Sequence, residues 1–114
     1  MLARLFEEAG LSTIFVTNMP FWAEVVGVPR TLAVEYPFGH ILGNPGRRDQ
    51  QLGIILEALD VLKFAKNPGE IFHSEKVWDG EISDAIKEWQ PEVASPVISL
   101  MSGKLRTLIK NSRR

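Results

Sequence analysis

The residues best suited to chemistry lie in one irregular stretch, residues 35–46, which reads EYPFGHILGNPG. It contains three glycines, two prolines and His40, one of only two histidines in the chain. Gly39 and Gly43 permit backbone conformations that are closed to other residues, and the prolines restrict the path of the loop. Such a loop could present backbone N–H groups or the His40 imidazole to a ligand. The alternative is a structural loop whose glycines only allow tight turns.

Two arginines, Arg47 and Arg48, follow this loop at the start of a predicted long helix. The helix dipole disfavours cations at that end, but cations combined with free helical N–H groups suit a bound carboxylate or phosphate. The alternative is a solvated turn in which Asp49 compensates their charge. Glu35, at the end of an apolar run, is either a buried acid or the exposed end of a strand.

The composition places limits on the class of protein. A chain of 114 residues with 45% hydrophobic residues predicts one soluble, globular domain with a modest core. A formal net charge of −1 gives no long-range attraction to nucleic acid or to an anionic membrane. No apolar run approaches the ~18–20 residues that span a bilayer. The first ten residues, MLARLFEEAG, carry acids where a signal peptide needs an apolar stretch, so we expect a cytoplasmic protein.

The chain has no cysteine. It therefore supplies no disulfide, no thiolate nucleophile and no cysteine-based zinc or iron–sulfur site. Its two histidines lie on separate predicted loops and do not make a metal cluster. We expect neither a catalytic residue nor a metal ligand nor a cofactor in this chain.

The elements that must position the loop follow from the apolar pattern. Four are predicted in the first 36 residues: a helix over 2–9, a strand over 12–17, a helix over 19–27 and a strand over 30–36. About a dozen residues link the strands, which is near the minimum for a parallel crossover. This predicts a β-α-β unit, with the segments after both strands meeting at one edge of the sheet, where open α/β folds bind ligands. Phe21 and Trp22 follow the first strand, where they are either core residues or ligand contacts.

The second half of the chain is predicted to be mainly helical. The clearest helix covers 49–66, with an apolar stripe of Leu52, Ile55, Leu56, Leu59 and Leu62. Residues 69–78 form a short strand or an extended segment, and a helix begins after Asp79. A last helix is predicted over 96–110, with Ile98, Met101, Leu105, Leu108 and Ile109 apolar and a solvated basic end.

The expected architecture is thus a single α/β domain over 1–114, a partial doubly wound (Rossmann-like) unit with parallel strands and additional C-terminal helices. Residues 1–67 form its α/β part and residues 68–114 a mainly helical extension. Because two strands are too few for a stable sheet, we expect pairing with a copy of the chain or with a complementary N-terminal chain.

Residues 7–46, EEAGLSTIFVTNMPFWAEVVGVPRTLAVEYPFGHILGNPG, resemble the C-terminal half of the glycine/sarcosine/betaine and D-proline reductase selenoprotein B family. The resemblance rests on EEAGLSTIFVT and on VGVPRTLAVEYPFGHILGNPG, in that order and at that spacing. It extends over roughly residues 2–65. Residues 70–114 carry no matching motif.

The resemblance implies that this chain lies beside an active site but does not itself carry out the reaction. In that family a selenocysteine or cysteine cluster, N-terminal to the helix that matches residues 2–9, works with a pyruvoyl-bearing partner subunit to cleave the C–N bond of an amino acid or betaine. This chain lacks the cluster. The positions implied to surround the ligand are Asn18, Arg30, Glu35, Gly39, His40, Gly43 and Gly46, to which the charge argument adds Arg47 and Arg48.

The resemblance therefore predicts a reductase subunit or C-terminal fragment that contributes substrate-side loops but not the redox nucleophile. A small carboxylate such as glycine, betaine or proline is the expected ligand. A reading frame interrupted at a selenocysteine codon, or a split protein, would account for the start at Met1. The alternative is a relative without the nucleophile that serves as a protein-interaction module.

Overall fold

A computed structural model describes residues 2–89 of the chain. In chain order the described elements are α1 (Leu2–Glu8), β1 (Phe15–Thr17), α2 (Pro20–Val26), β2 (Arg30–Glu35), α3 (Arg48–Phe64), β3 (Glu70–Val77) and α4 (Ile82–Trp89). The helix predicted over 96–110 lies outside the described residues. The mixture of helices with a parallel sheet confirms the predicted α/β class.

The three strands form one parallel sheet in the order β1-β2-β3. Phe15 pairs with Thr31 and Thr17 with Ala33, so β1 and β2 are the adjacent parallel strands that the short crossover predicts. On the other side of β2, Leu32 pairs with Phe72 of β3. The β-α-β unit is therefore present, and a second crossover through α3 extends it by one strand.

Local signals account for the bounds of α2. Pro20 occupies the first turn, where its missing N–H breaks no helical hydrogen bond. Gly27 ends the helix at a φ of 69°, in the left-handed region that favours glycine. The Gly27 N–H donates to the Glu24 carbonyl at 3.0 Å, and the Val28 N–H donates to the Ala23 carbonyl at 3.0 Å.

The segment 69–78, for which a strand or an extended segment was expected, is the third strand. β3 pairs with β2 from Glu70 to His73 and again at Val77, with an irregular register between. The predicted division at residue 67 falls between α3 and β3. The described residues beyond it contribute both a strand of the common sheet and α4.

The apolar stripe named from the sequence is not the face of α3 that packs in the core. Ile54, Ala58 and Val61 are the buried residues of α3, whereas Leu52, Leu56 and Leu59 of the predicted stripe are 42%, 58% and 52% exposed. Both sets have helical spacing, so the helix has two apolar faces and periodicity alone does not choose between them. The core joins the buried α3 face to Leu32, Val34, Tyr36, Trp78 and Ala85.

Polar contacts hold α1 to the amino end of the sheet. Arg4 donates from Nε to the Gly27 carbonyl and from Nη2 to the Val26 carbonyl, both at 3.0 Å. Glu7 accepts from the Thr13 backbone N–H and hydroxyl, and its Oε1 lies 2.6 Å from Arg30 Nη1. The apolar side chains of α1 remain exposed, and α1 contains no buried residue.

Acid should loosen this attachment of α1. The hydrogen bond from the Thr13 N–H, then that from its hydroxyl and the charge of Arg30, lower the pKa of Glu7 from 4.5. A lowered folded pKa means that the stabilisation is complete above about pH 4.5 and is lost as pH falls through the folded value. We expect Glu7→Gln to lower the Tm at neutral pH, and this deficit to shrink as the pH falls below about 4.5.

Thermal unfolding of the wild type and Glu7→Gln across that pH range measures the deficit. Glu8→Gln is the matched control, because Glu8 is the exposed neighbour on the same helix. A Tm deficit for Glu7→Gln that is the same at every pH would contradict a role for the ionised carboxylate.

Candidate functional site

A cleft of about 460 Å³ lies at the carboxyl edge of the sheet. Its walls come from the segments after β1 and β2, from β3 and from α4. The polar side chains in its lining belong to Asn18, Glu35, His73 and Ser74. This is the edge at which open α/β sheets place their ligands, because the strands and loops there converge.

Asn18 and Glu35 are the predicted site residues that this cleft brings together. Asn18 follows β1 and donates from Nδ2 to the Tyr36 carbonyl at 3.1 Å, which ties the segments after the two strands to each other. Glu35 is the last residue of β2 and is exposed. Of the two expectations for Glu35, the exposed strand end is confirmed.

The remaining lining of the cleft is largely apolar. Phe38 and Ile82 are 49% and 52% exposed, so both offer uncovered surface next to the Glu35 carboxylate. Tyr36 turns its ring inward onto Trp78, with the ring centroids 5.3 Å apart in an edge-to-face arrangement. Burial, followed by the charges of Glu57 and Asp79, raises the pKa of Tyr36, so its hydroxyl stays neutral. The carboxylate of Glu35 is thus the negative charge in the lining.

His40 does not reach this cleft. Its side chain is 5% exposed, and its ring lies against Trp78 with the centroids 5.5 Å apart. Both ring nitrogens are enclosed, and neither has a hydrogen-bond partner among the described residues. His40 contributes instead to a separate pocket of about 540 Å³, together with Gly39 and Gly43. Trp78 lies against the imidazole, which therefore does not face the carboxyl-edge cleft.

Successive turns build the loop itself. The His40 N–H donates to the Pro37 carbonyl at 3.1 Å, and the Gly43 N–H donates to the His40 carbonyl at 2.7 Å. Gly39, Gly43 and Gly46 have φ values of 84°, 116° and 76°, in the region that favours glycine. The loop therefore uses its glycines to make turns, as the structural alternative required.

Arg47 is engaged by carboxylates. It makes two hydrogen bonds to Asp49, Nε to Oδ1 at 3.0 Å and Nη2 to Oδ2 at 2.9 Å, and its Nη1 lies 3.7 Å from Asp79. This hydrogen bonding raises the pKa of Arg47 and lowers that of Asp49 to about 2. The arrangement matches the alternative in which Asp49 compensates the arginine charge. Arg48 is exposed as the first residue of α3.

Arg30 lies at the opposite end of the sheet from the cleft. It begins β2, which Glu35 ends, and it pairs with Glu7 of α1. At about 3.3 Å per residue, the strand separates Arg30 from Glu35 by roughly 17 Å. The structure therefore does not bring Arg30 together with the other predicted ligand positions.

The sequence did not predict four residues that line the carboxyl-edge cleft: His73, Ser74, Ile82 and Ile86. The sequence did not decide whether residues 69–78 form a strand or an extended segment. They include isoleucine, phenylalanine and valine, but apolar and polar residues do not alternate strictly. Had that segment been taken as a third parallel strand, its carboxyl half would have fallen at the same edge as Asn18 and Glu35.

Within residues 2–89, no group of three or more histidine, cysteine, aspartate or glutamate side chains is placed to hold a metal ion. None of the helices in that range has the length and apolar character needed to cross a membrane.

The family resemblance rests on sequence motifs in residues 7–46. No protein-family model, no curated protein and no solved structure matches this chain.

Proposed function

We propose that this chain is the substrate-side part of a reductase that resembles the selenoprotein B family, and that it holds a small amine in the carboxyl-edge cleft. The single observation that supports this most is the exposed Glu35 carboxylate at the end of a parallel strand, within a cleft of about 460 Å³. Clefts at this edge are the usual ligand sites of open α/β sheets. Glycine, sarcosine, betaine and proline, the family's substrates, all carry a positively charged nitrogen.

The lining favours a cation over an anion. Glu35 supplies a negative charge, and the half-exposed ring of Phe38 supplies an aromatic surface of the kind that attracts ammonium groups. The arginines that were expected to bind a carboxylate are elsewhere: Arg30 pairs with Glu7, and Arg47 pairs with Asp49. In this proposal the nitrogen end of the ligand therefore faces Glu35.

The redox step belongs to another chain. Reductive cleavage of a C–N bond in this family uses a selenol or thiol and a pyruvoyl group, and none of the 114 residues is a cysteine. The residues present thus do not fit the redox group. What this chain contributes is the binding and orientation of the amine, with the nucleophile supplied by a complementary chain.

Glu35→Gln should weaken the binding of betaine. In this proposal a complementary chain supplies the rest of the site, so for this chain alone we expect a Kd on the order of millimolar, or about −4 kcal/mol. Loss of a charge-assisted contact at an exposed carboxylate costs about 1 kcal/mol, which is roughly a fivefold rise in Kd. Titration of betaine, followed through the backbone amide NMR shifts of residues 33–38 and 73–74, measures it.

Glu24→Gln provides the matched control, because Glu24 is an exposed acid on α2 and is not part of the cleft lining. Equal Kd values for Glu35→Gln and the wild type would contradict the amine site. Shifts confined to residues 39–51 would instead indicate an anion at the start of α3. Formate serves as a comparison ligand, since it has the carboxylate without the amine.

A protein-interaction module is the second candidate function. Phe21, Trp22 and Val25 on α2 are 65%, 55% and 61% exposed, so α2 presents an aromatic and aliphatic face that no described residue covers. Tryptophan and phenylalanine are enriched at protein interfaces. A copy of the chain or a complementary chain beside β1 would bury this face.

A further inference from the structure

A second groove, of about 590 Å³, lies between α3 and β3 and shares His73 with the carboxyl-edge cleft. Apolar side chains of Leu56, Val61 and Phe72 form part of its lining. Glu57, Asp60, Glu75 and Lys76 add three acids and one base. The groove therefore combines an apolar surface with an excess of negative charge.

The groove marks an incomplete layer of the fold. Parallel sheets are normally covered by helices on both faces. The buried face of α3 packs on the core, and beside it Leu56, which lines the groove, is 58% exposed. An apolar helix placed alongside α3 would cover Leu56 and Phe72.

Charge is unevenly divided along the chain. All fourteen acidic residues precede residue 96, together with eight of the thirteen basic residues. The last nineteen residues contain five lysines and arginines and no acid. A segment of that composition is complementary to the acidic lining of the groove, and its opposite charge attracts it there.

We propose that the groove between α3 and β3 binds the chain's own segment 96–110. This segment carries apolar residues at helical spacing, Ile98, Met101, Leu105, Leu108 and Ile109, interspersed with Lys104, Arg106 and Lys110. As a helix, fifteen residues would extend about 22 Å, close to the roughly 25 Å of the seventeen-residue α3. The six residues 90–95 reach up to about 20 Å, which allows the segment to return from the end of α4.

The absence of cysteine permits a direct test in the full chain, since a single introduced cysteine can be labelled specifically. A nitroxide on Lys63→Cys lies at the exposed C-terminal end of α3, outside the groove lining. A nitroxide on Glu24→Cys, on α2, is the matched control. We expect the Lys63 label to broaden the amide NMR signals of residues 96–110 strongly and the Glu24 label to leave them nearly unchanged.

Two further measurements define what would overturn the proposal. Asp60→Lys combined with Glu75→Lys should restore most of the lost signal intensity in the Lys63-labelled chain, whereas Glu8→Lys should not. Broadening that is insensitive to the double reversal, or equal from both labels, contradicts docking in the groove. A mixed sample tests for a second copy: it combines ¹⁵N-enriched chain without a nitroxide and ¹⁴N chain that carries the nitroxide. Broadening of the ¹⁵N signals in this sample would assign the groove to a second copy.

A membrane is the other occupant that the composition of the segment would suit. Signals of residues 96–110 that are unaffected by the Lys63 label, but disappear when phosphatidylserine vesicles are added, would assign the segment to an anionic lipid surface and overturn the proposal.

Discussion

Replacing Ile54 with alanine is expected to lower the free energy of unfolding by about 3 kcal/mol. Ile54 has 0% of its surface exposed and belongs to the core cluster that joins α3 to Leu32 and Val34 of β2. Truncation removes three methyl or methylene groups from that cluster and leaves a cavity, and both effects destabilise the fold. Urea unfolding followed by circular dichroism measures the difference.

The neighbouring residue provides the control. Ile55 is 40% exposed, so Ile55→Ala should cost about 1 kcal/mol or less. The two substitutions are chemically identical and one residue apart, which cancels differences in helix propensity. An equal or larger loss for Ile55→Ala would show that the sequence-predicted stripe, and not the Ile54 face, packs on the sheet.

The first half of the fold could be predicted because its signals are local. Pro20 and Gly27 mark the ends of α2 through their own backbone preferences, and neither depends on a distant residue. The parallel pairing of β1 and β2 follows from the length of the connection between them. Such features can be predicted even when nothing is known about the rest of the chain.

The orientation of α3 and the existence of β3 could not be predicted in the same way. α3 has two apolar faces, and its contacts with β2 and the rest of the core cluster select Ile54, Ala58 and Val61 for burial. β3 pairs with β2 but carries Glu75 and Lys76 near its end, where an exposed edge tolerates charge. In both cases the deciding contacts are with residues far away in sequence.

The same distinction divides the candidate site. Asn18 and Glu35 could be predicted because the carboxyl ends of adjacent parallel strands must meet. His40 and Arg47 were assigned to a ligand because their partners were unknown. Trp78, which covers His40, and Asp79, which approaches Arg47, both follow β3. When the position of β3 is unknown, a buried histidine and a paired arginine cannot be distinguished from free binding groups.

Gly43→Ala is expected to destabilise the chain by about 2–4 kcal/mol, and the reason lies in both the backbone and the packing. Gly43 has a φ of 116°, a conformation that an L side chain rarely adopts. A Cβ at this position would also lie 2.7 Å from Cβ of Gln50, which must then move. Gln50 is not free to do so without loss, because its Oε1 accepts the Asn44 N–H at 3.0 Å.

Gly46→Ala separates the two causes. Gly46 has a φ of 76°, but nothing lies within 4 Å of the position that a Cβ would take, so only backbone strain of about 1 kcal/mol is expected. Urea unfolding of both variants measures the two losses. Equal losses would remove the contact with Gln50 from the explanation.

The same variant, Gly43→Ala, tests whether the glycine loop contacts the ligand. Because Gly43 lies outside the carboxyl-edge cleft, the folded fraction of Gly43→Ala should bind betaine with the wild-type Kd. Weaker binding would show that the glycine loop contributes to the ligand site.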